Sequence, residues 1–352
     1  MKRSRALALV LAGALAALPV SDAGACTTFC LKKGERAVFG KNYDWMVPDG
    51  LVIVNKRGVS KAASITPPEK PAKWTSKFGS VTFNQYGREQ PSGGMNERGL
   101  AIELMWLDET RYPDPDGRPV MGCLDWIQYQ LDTRATVAEV VRHAGDVRVS
   151  SMAKIHFLVC DKGGSCATVE FLDGKPVVHT GANLPMRVLT NDTYRNSLSY
   201  LQRNPTGANG PGSLARFGRA AARVGAYTGG EPVAYAFETL AQVAQGDYTQ
   251  WSIVYDLPAG RVHWRTQKNP RVRSVALADF NFSCGAPVKI LDIHQGQGKV
   301  AALFTNYTVE RNRELVEAAF RKTPMLAEVP PEEIEMAVRL PEATTCTTAG
   351  RR

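Results

Sequence analysis

From Thr27 to Leu107 the strand-like runs of this chain follow one another with no helical period between them, and that order narrows the fold more than any other feature. Runs at Thr27 to Leu31, Ala37 to Asn42, Ser80 to Asn84 and Leu100 to Leu107 are separated by turn-forming segments, among them Gly93-Gly94-Met95-Asn96-Glu97-Arg98-Gly99. Helices are predicted at Cys123 to Leu131 and after the capping box Thr136-Val137-Ala138-Glu139. Strands return at Ile155 to Cys160, Ala167 to Phe171, Pro176 to His179 and Met186 to Thr190. Helices follow at Tyr194 to Leu201, Ser213 to Ala226 and Pro232 to Ala244, then strands at Trp251 to Asp256, Arg261 to Thr266 and Val272 to Leu277, and a helix at Tyr307 to Phe320. Blocks of strands and blocks of helices, without strict βαβ alternation, predict an α+β fold of antiparallel sheets with helices on their outer faces. One domain, residues 26–322, accounts for all of this, and the Pro-, Glu- and Thr-rich tail 323–352 is expected to be loose.

The chain opens with the basic segment Met1-Lys2-Arg3-Ser4-Arg5 and an Ala/Leu/Val run from Ala6 to Val20, the pattern of a secretory leader. Ala23 and Ala25 sit three and one before a cut that would fall ahead of Cys26, so residues 1–25 are read as a signal peptide. The mature protein would be exported, periplasmic or secreted, with no stable membrane insertion after processing. Its first residue would be Cys26, carrying a thiol and a free α-amine together. An α-amine has a pKa of about 7.7 to 8.0, so it can take the thiol proton at neutral pH and make the cysteine a nucleophile. Two plainer fates compete for such a cysteine: a structural disulfide, or the lipidated terminus of an anchored binding protein without catalysis. Ala23 stands where a lipoprotein signal usually has a leucine or similar aliphatic residue.

Composition restricts the partners. The formal charge is +9, and the leader removes Lys2, Arg3, Arg5 and Asp22, leaving +7 spread along the chain. With no basic cluster, nucleic acid is not an expected partner. The seven cysteines make an odd count, so at least one thiol is unpaired, and Cys26 has a reason to be that one. Cys160 and Cys166 flank a turn-rich stretch and could close a hairpin. No Cys/His spacing fits zinc, and neither a metal nor another cofactor is expected.

Around Cys26 the geometry of a hairpin supplies neighbours. Thr27 to Leu31 and Ala37 to Asn42 joined at Lys32-Lys33-Gly34-Glu35 would be antiparallel, which returns Lys41, Asn42 and Asp44 to the side of Cys26. An acid there would hold an α-ammonium, and a cation would favour thiolate. On the predicted helix Ser213 to Ala226, Leu214, Phe217, Ala221 and Val224 form an apolar stripe, and Arg216, Arg219 and Arg223 share another face.

Cys26-Thr27-Thr28-Phe29 followed by Gly40-Lys41-Asn42-Tyr43-Asp44-Trp45 resembles the start of the choloylglycine hydrolase family, which includes bile salt hydrolases and penicillin V acylases. Gly94-Met95-Asn96-Glu97-Arg98-Gly99-Leu100, Val188-Leu189-Thr190-Asn191 and Leu214-Ala215-Arg216-Phe217 extend the resemblance, and looser similarity runs through Tyr255-Asp256-Leu257 to Phe282-Ser283-Cys284. The resemblance implies an N-terminal nucleophile hydrolase of the four-layer αββα kind that cleaves linear carbon–nitrogen amide bonds. It implies Cys26 as nucleophile, Asp44 as partner of its amine, Asn191 as an oxyanion donor and Arg216 as a supporting charge. Two departures stand out. Lys41 occupies a position where the family usually has arginine. The strand Leu104-Met105-Trp106-Leu107 lacks the Asn or Tyr that intracellular members use to complete the oxyanion hole, which leaves a backbone N–H or a differently built pocket, with Met105 and Trp106 as candidates to touch the acyl group. A small-molecule N-acyl amide is the implied partner, of the penicillin V, acyl-homoserine lactone or conjugated bile salt type. A homo-oligomer is left open.

Overall fold

The computed structural model describes residues 26–65, 68–205 and 210–347. The expected leader, residues 1–25, lies outside the described residues. Two large sheets dominate. The first has seven strands in the order Val188–Leu189, Thr27–Lys33, Arg36–Asp44, Thr249–Asp256, Arg261–Thr266, Arg273–Ala276 and Gly298–Lys299. Every neighbouring pair is antiparallel except the last. The second has nine strands, all antiparallel: Lys175–Thr180, Cys166–Leu172, Ile155–Cys160, Ala101–Trp106, Pro91–Asn96, Ser80–Asn84, Leu51–Asn55, Lys289–Asp292 and Thr305–Asn306.

The sheets lie face to face. Phe83 of the second meets Tyr255 and Trp264 of the first edge-on at 6.2 and 5.8 Å, and the Tyr255 hydroxyl donates to Glu103 across the gap at 2.5 Å. Helices Ser213–Ala226 and Pro232–Gln242 pack on the first sheet, and Cys123–Thr133 packs on the second. That is a four-layer αββα sandwich. A strand covered on both sides has no solvated face, so the strand Arg36–Asp44 buries everything after Arg36, including Lys41, Asn42 and Asp44. Burying three such groups is tolerable only when each is bonded, and each is.

Three expectations need correction. Gly93 and Gly94, read as part of a turn, lie inside the buried strand Pro91–Asn96, and the reversal is confined to the residues that follow it. A Cβ on Gly93 would stand 2.2 Å from the Glu103 carboxyl carbon, so this glycine is there to admit a side chain from the neighbouring strand. The apolar stripe of Ser213–Ala226 runs through Ala215, Phe217, Ala220 and Ala221, with Leu214 and Val224 only half-buried, and of the three arginines on one side of the helix Arg216 is buried while Arg219 and Arg223 are half-buried. Over its described residues, 323–347, the tail is not loose. It forms Pro324–Leu326 and Pro331–Arg339, and Thr345–Cys346 pairs with the strand Val59–Ala62. A disulfide from Cys284 to Cys346 fastens it, beside the hairpin disulfide Cys160–Cys166. Cys26, Cys30 and Cys123 are free thiols.

Candidate active site

Cys26 stands at the head of the strand Thr27–Lys33 and is 4% exposed. Two strands flank that one. Thr27 pairs with Asn42 and Thr28 with Lys41 on one side, while Thr28 pairs with Leu189 on the other. Continuing the second register by two places brings Asn191 level with Cys26, and continuing the first by one brings Tyr43, with Asp44 just beyond. The Cys26 thiol donates to the Asp44 carbonyl at 3.9 Å.

One hydrogen-bonded network joins the expected polar residues. Asp44 Oδ1 accepts from the Thr249 hydroxyl at 2.5 Å and Oδ2 from Gln245 Nε2 at 2.9 Å. Gln245 Oε1 accepts in turn from Arg216 Nη1 at 3.4 Å. Arg216 is buried, and it also donates to the Pro211 carbonyl at 2.6 Å, to Thr27 Oγ1 at 3.4 Å and to Asn191 Oδ1 at 3.1 Å. With its oxygen held by the guanidinium, Asn191 presents Nδ2 to the Trp106 carbonyl at 2.9 Å, while its backbone N–H donates to Ser213 Oγ at 2.9 Å. Cys26, Asp44, Asn191 and Arg216 thus converge. Lys41 lies close enough to favour ionisation of the Cys26 thiol, and its ammonium also donates to the Leu104 carbonyl of the other sheet.

Gln245 and Thr249 are not legible in the sequence. They lie about two hundred residues from Asp44 along the chain and reach it only because Thr249–Asp256 is the neighbour of Arg36–Asp44, with Thr249 paired opposite Asp44. No local signal marks that adjacency.

Electrostatics follow from burial. Loss of solvent pushes the Cys26 thiol up, Lys41 pulls it back, and the Asp44 carboxylate pushes it up again. Asp44 is raised by burial, against the hydrogen bonds from Thr249 and Gln245 and the fields of Arg216 and Lys41. Glu103, beneath Lys41, is driven by burial up to about 7.

Cys26 and Asp44 open on a cavity of about 600 Å³, within the usual range for a small-ligand site. Trp106 lines it. Met105 does not, because neighbouring residues of a strand face opposite ways: its sulfur is buried against the Thr28 hydroxyl at 3.4 Å, between the sheets. Trp45, not singled out from sequence, also lines the cavity and lies over Trp106 with ring centroids 6.4 Å apart. Among the described residues, His, Cys, Asp and Glu gather in threes at ligating distance at Cys30, Cys160 and Cys166, where two of the sulfurs form a disulfide. No described helix is long and apolar enough to cross a membrane.

Comparison with known proteins places this arrangement. Residues 26–226 match the model of the linear amide C–N hydrolases, choloylglycine hydrolase family, a match that begins at Cys26. A penicillin V acylase of Pectobacterium atrosepticum is 33% identical over 136 residues, which is 34% of this chain and 36% of the relative, so the matched stretch spans about a third of that protein. The solved penicillin V acylase of Agrobacterium tumefaciens superposes with a TM-score of 0.71 at 28% identity, covering 80% of this chain and 98% of that one. A conjugated bile acid hydrolase of Clostridium perfringens, solved in a mutant form, shares the fold at 16% identity, with a TM-score of 0.64 over 78% of this chain and 98% of that one. The chain belongs to the choloylglycine hydrolase family of linear amide C–N hydrolases and has its N-terminal nucleophile hydrolase fold.

Proposed function

We propose that this protein is an exported hydrolase of N-acyl amides that uses Cys26, freed by removal of residues 1–25, as an N-terminal nucleophile. The observation that carries the reading is the single network in which Asp44, Gln245, Arg216 and Asn191 are bonded in series around the thiol, which lines the cavity.

The α-amine takes the thiol proton, and the sulfur attacks the amide carbonyl carbon. Negative charge collects on the carbonyl oxygen, where Asn191 Nδ2 and a backbone N–H are the donors, with Arg216 holding Asn191 in that orientation. The carbon–nitrogen bond breaks as the α-ammonium returns its proton to the leaving amine. Water, deprotonated by the same amine, then opens the thioester, releasing a carboxylic acid and restoring the thiol. Asp44, gripped on both oxygens, holds the α-ammonium in its charged phase. Lys41 lowers the cost of thiolate by its buried charge and by hydrogen bonding to the sulfur. All of these groups belong to the chain.

A lipid-anchored Cys26 fits this geometry poorly, since a diacylglyceryl thioether would have to leave from a sulfur that is almost wholly enclosed. The substrate is of the penicillin V, acyl-homoserine lactone or conjugated bile salt type. Turnover of all three by the processed protein and by Cys26→Ala tests the reading. Release of amine from at least one by the wild type and from none by the variant is the expected result, and undiminished turnover by Cys26→Ala would remove Cys26 from the chemistry.

A further inference from the structure

The C-terminal segment that the sequence marked as a tail forms one wall of the cavity. Thr323, Leu326, Val329, Met336 and Leu340 all line it. The segment is attached both at this wall and beyond it. Cys346 is bonded to Cys284, Thr345–Cys346 extends a small sheet at Val59–Ala62, and the Thr347 N–H donates to the Gly58 carbonyl at 2.7 Å. Arg313 clasps Glu335 at 2.5 and 2.9 Å, and Asn312 donates to the Val338 carbonyl at 2.9 Å. At its start, Thr323 shares a hydrogen bond of 3.1 Å with the Tyr86 hydroxyl, which itself accepts from Trp45 Nε1 at 2.9 Å, one residue after Asp44. The segment is therefore pinned at both ends, with its apolar side left against open space. Met325 and Met336 line that space and remain 50% and 49% exposed, although side chains of this size are normally covered.

The charge inventory narrows what fills it. Among the described residues lining the cavity there is no Lys, Arg or His, whereas Asp44, Glu69, Asp125 and Glu333 are all there. Glu69 is paired with Arg148 at 2.5 Å, and Asp125 accepts from Gln90 at 2.6 Å and from the Gly122 N–H at 3.0 Å. An anionic group entering this space beyond the Cys26 α-amine would lose its water and meet no cationic side chain. An aliphatic chain loses nothing on entry, and methionine side chains adapt to its shape.

We propose that the segment from Thr323 to Cys346 is the specificity wall of this hydrolase, latched by the Cys284–Cys346 disulfide, and that it selects an uncharged aliphatic acyl group and limits its length. The assignment rests on the hydrolase reading, so the test carries a readout that needs no turnover. Met336→Trp and Leu340→Trp fill the space from the wall, and the double variant Cys284→Ser/Cys346→Ser unlatches it. For each, kcat/KM is measured on uncharged N-acyl amides with straight chains of graded length, and protection of Cys26 from alkylation is measured with straight-chain alcohols of the same lengths. Exclusion of one methylene from an apolar pocket costs about tenfold or more in kcat/KM. The Trp variants should therefore lower the long-to-short ratio by at least about that factor and lose protection by long alcohols first, while the unlatched protein should accept longer chains than the wild type. Ratios and protection profiles that coincide with wild type in correctly melting Trp variants and in the unlatched protein overturn the wall. Length-dependent protection by alcohols without turnover of any amide leaves the wall standing and overturns the hydrolase reading.

Discussion

Glu103→Gln puts the electrostatics beneath the candidate nucleophile to a quantitative test. Glu103 is buried between the sheets, accepts from the Tyr255 hydroxyl at 2.5 Å, and feels the Lys41 ammonium, yet burial outweighs both and holds its carboxyl at about 7 against an ordinary 4.5. Below pH 4.5 the side chain is protonated in folded and unfolded chains alike, and its contribution is intact. As pH rises toward about 7 the unfolded chain ionises first, so stability is lost across that window and stays lost above it. At about 1.36 kcal/mol per pH unit, the rise from 4.5 to about 7 corresponds to roughly 3 kcal/mol. Glutamine keeps the shape and an acceptor for Tyr255 but cannot ionise. Urea unfolding of both proteins, followed by tryptophan fluorescence, should show the variant gaining on the wild type by roughly 3 kcal/mol between acid and mildly alkaline pH. Taking the difference between the two proteins cancels the other titrating groups. A difference that does not change with pH would mean that Lys41 and the Tyr255 hydroxyl cancel the effect of burial and leave the Glu103 carboxyl near its ordinary 4.5, so that burial does not dominate.

The remaining predictions concern the network itself. Asn191→Ala should lower kcat by about a hundred- to a thousandfold with little change in melting temperature, because the donor is worth most when charge develops on the oxygen; a normal kcat would leave Asn191 a structural residue between Arg216 and Trp106. Lys41→Met should raise the apparent pKa of the Cys26 thiol and slow its alkylation at neutral pH, whereas Lys41→Arg should keep the charge; coincident alkylation profiles across pH in all three proteins would take Lys41 out of the site. Gln245→Leu removes one of the two hydrogen bonds that hold the Asp44 carboxylate and should raise the Asp44 pKa, moving the acid limb of the pH–rate profile to higher pH; an unmoved limb would show that Thr249 alone fixes Asp44.

What the sequence disclosed followed from local chemistry. The hairpin from Thr27 to Asp44 was legible because the Lys32-Lys33-Gly34-Glu35 turn separates two β-rich runs, and pairing their ends brought Lys41 and Asp44 beside Cys26. The strand Ile155–Cys160 and the helix Ser213–Ala226 were visible for the same reason, as uninterrupted periods bounded by turn residues. What stayed hidden depends on contacts between distant segments. Which strand lies next to Arg36–Asp44 decides that Gln245 and Thr249 serve Asp44, and no local pattern encodes strand order. Gly93 looked like a turn because glycine usually marks one, whereas its task is set by Glu103 on the adjacent strand. Trp106 and Met105 could be named together, but only the register of the sheet tells which one faces the cavity. The tail read as loose because its order comes from a disulfide to Cys284, and connectivity is not written in cysteine spacing.

The most direct test of the central claim is intact-mass analysis of the protein during turnover, made on a chain that begins at Cys26 and on one that keeps Ala25 ahead of it. Hydrolysis of an N-acyl amide and a transient acyl adduct on Cys26 are expected only where Cys26 has a free α-amine. Equal turnover by the chain whose mass shows Ala25 still attached would contradict the claim.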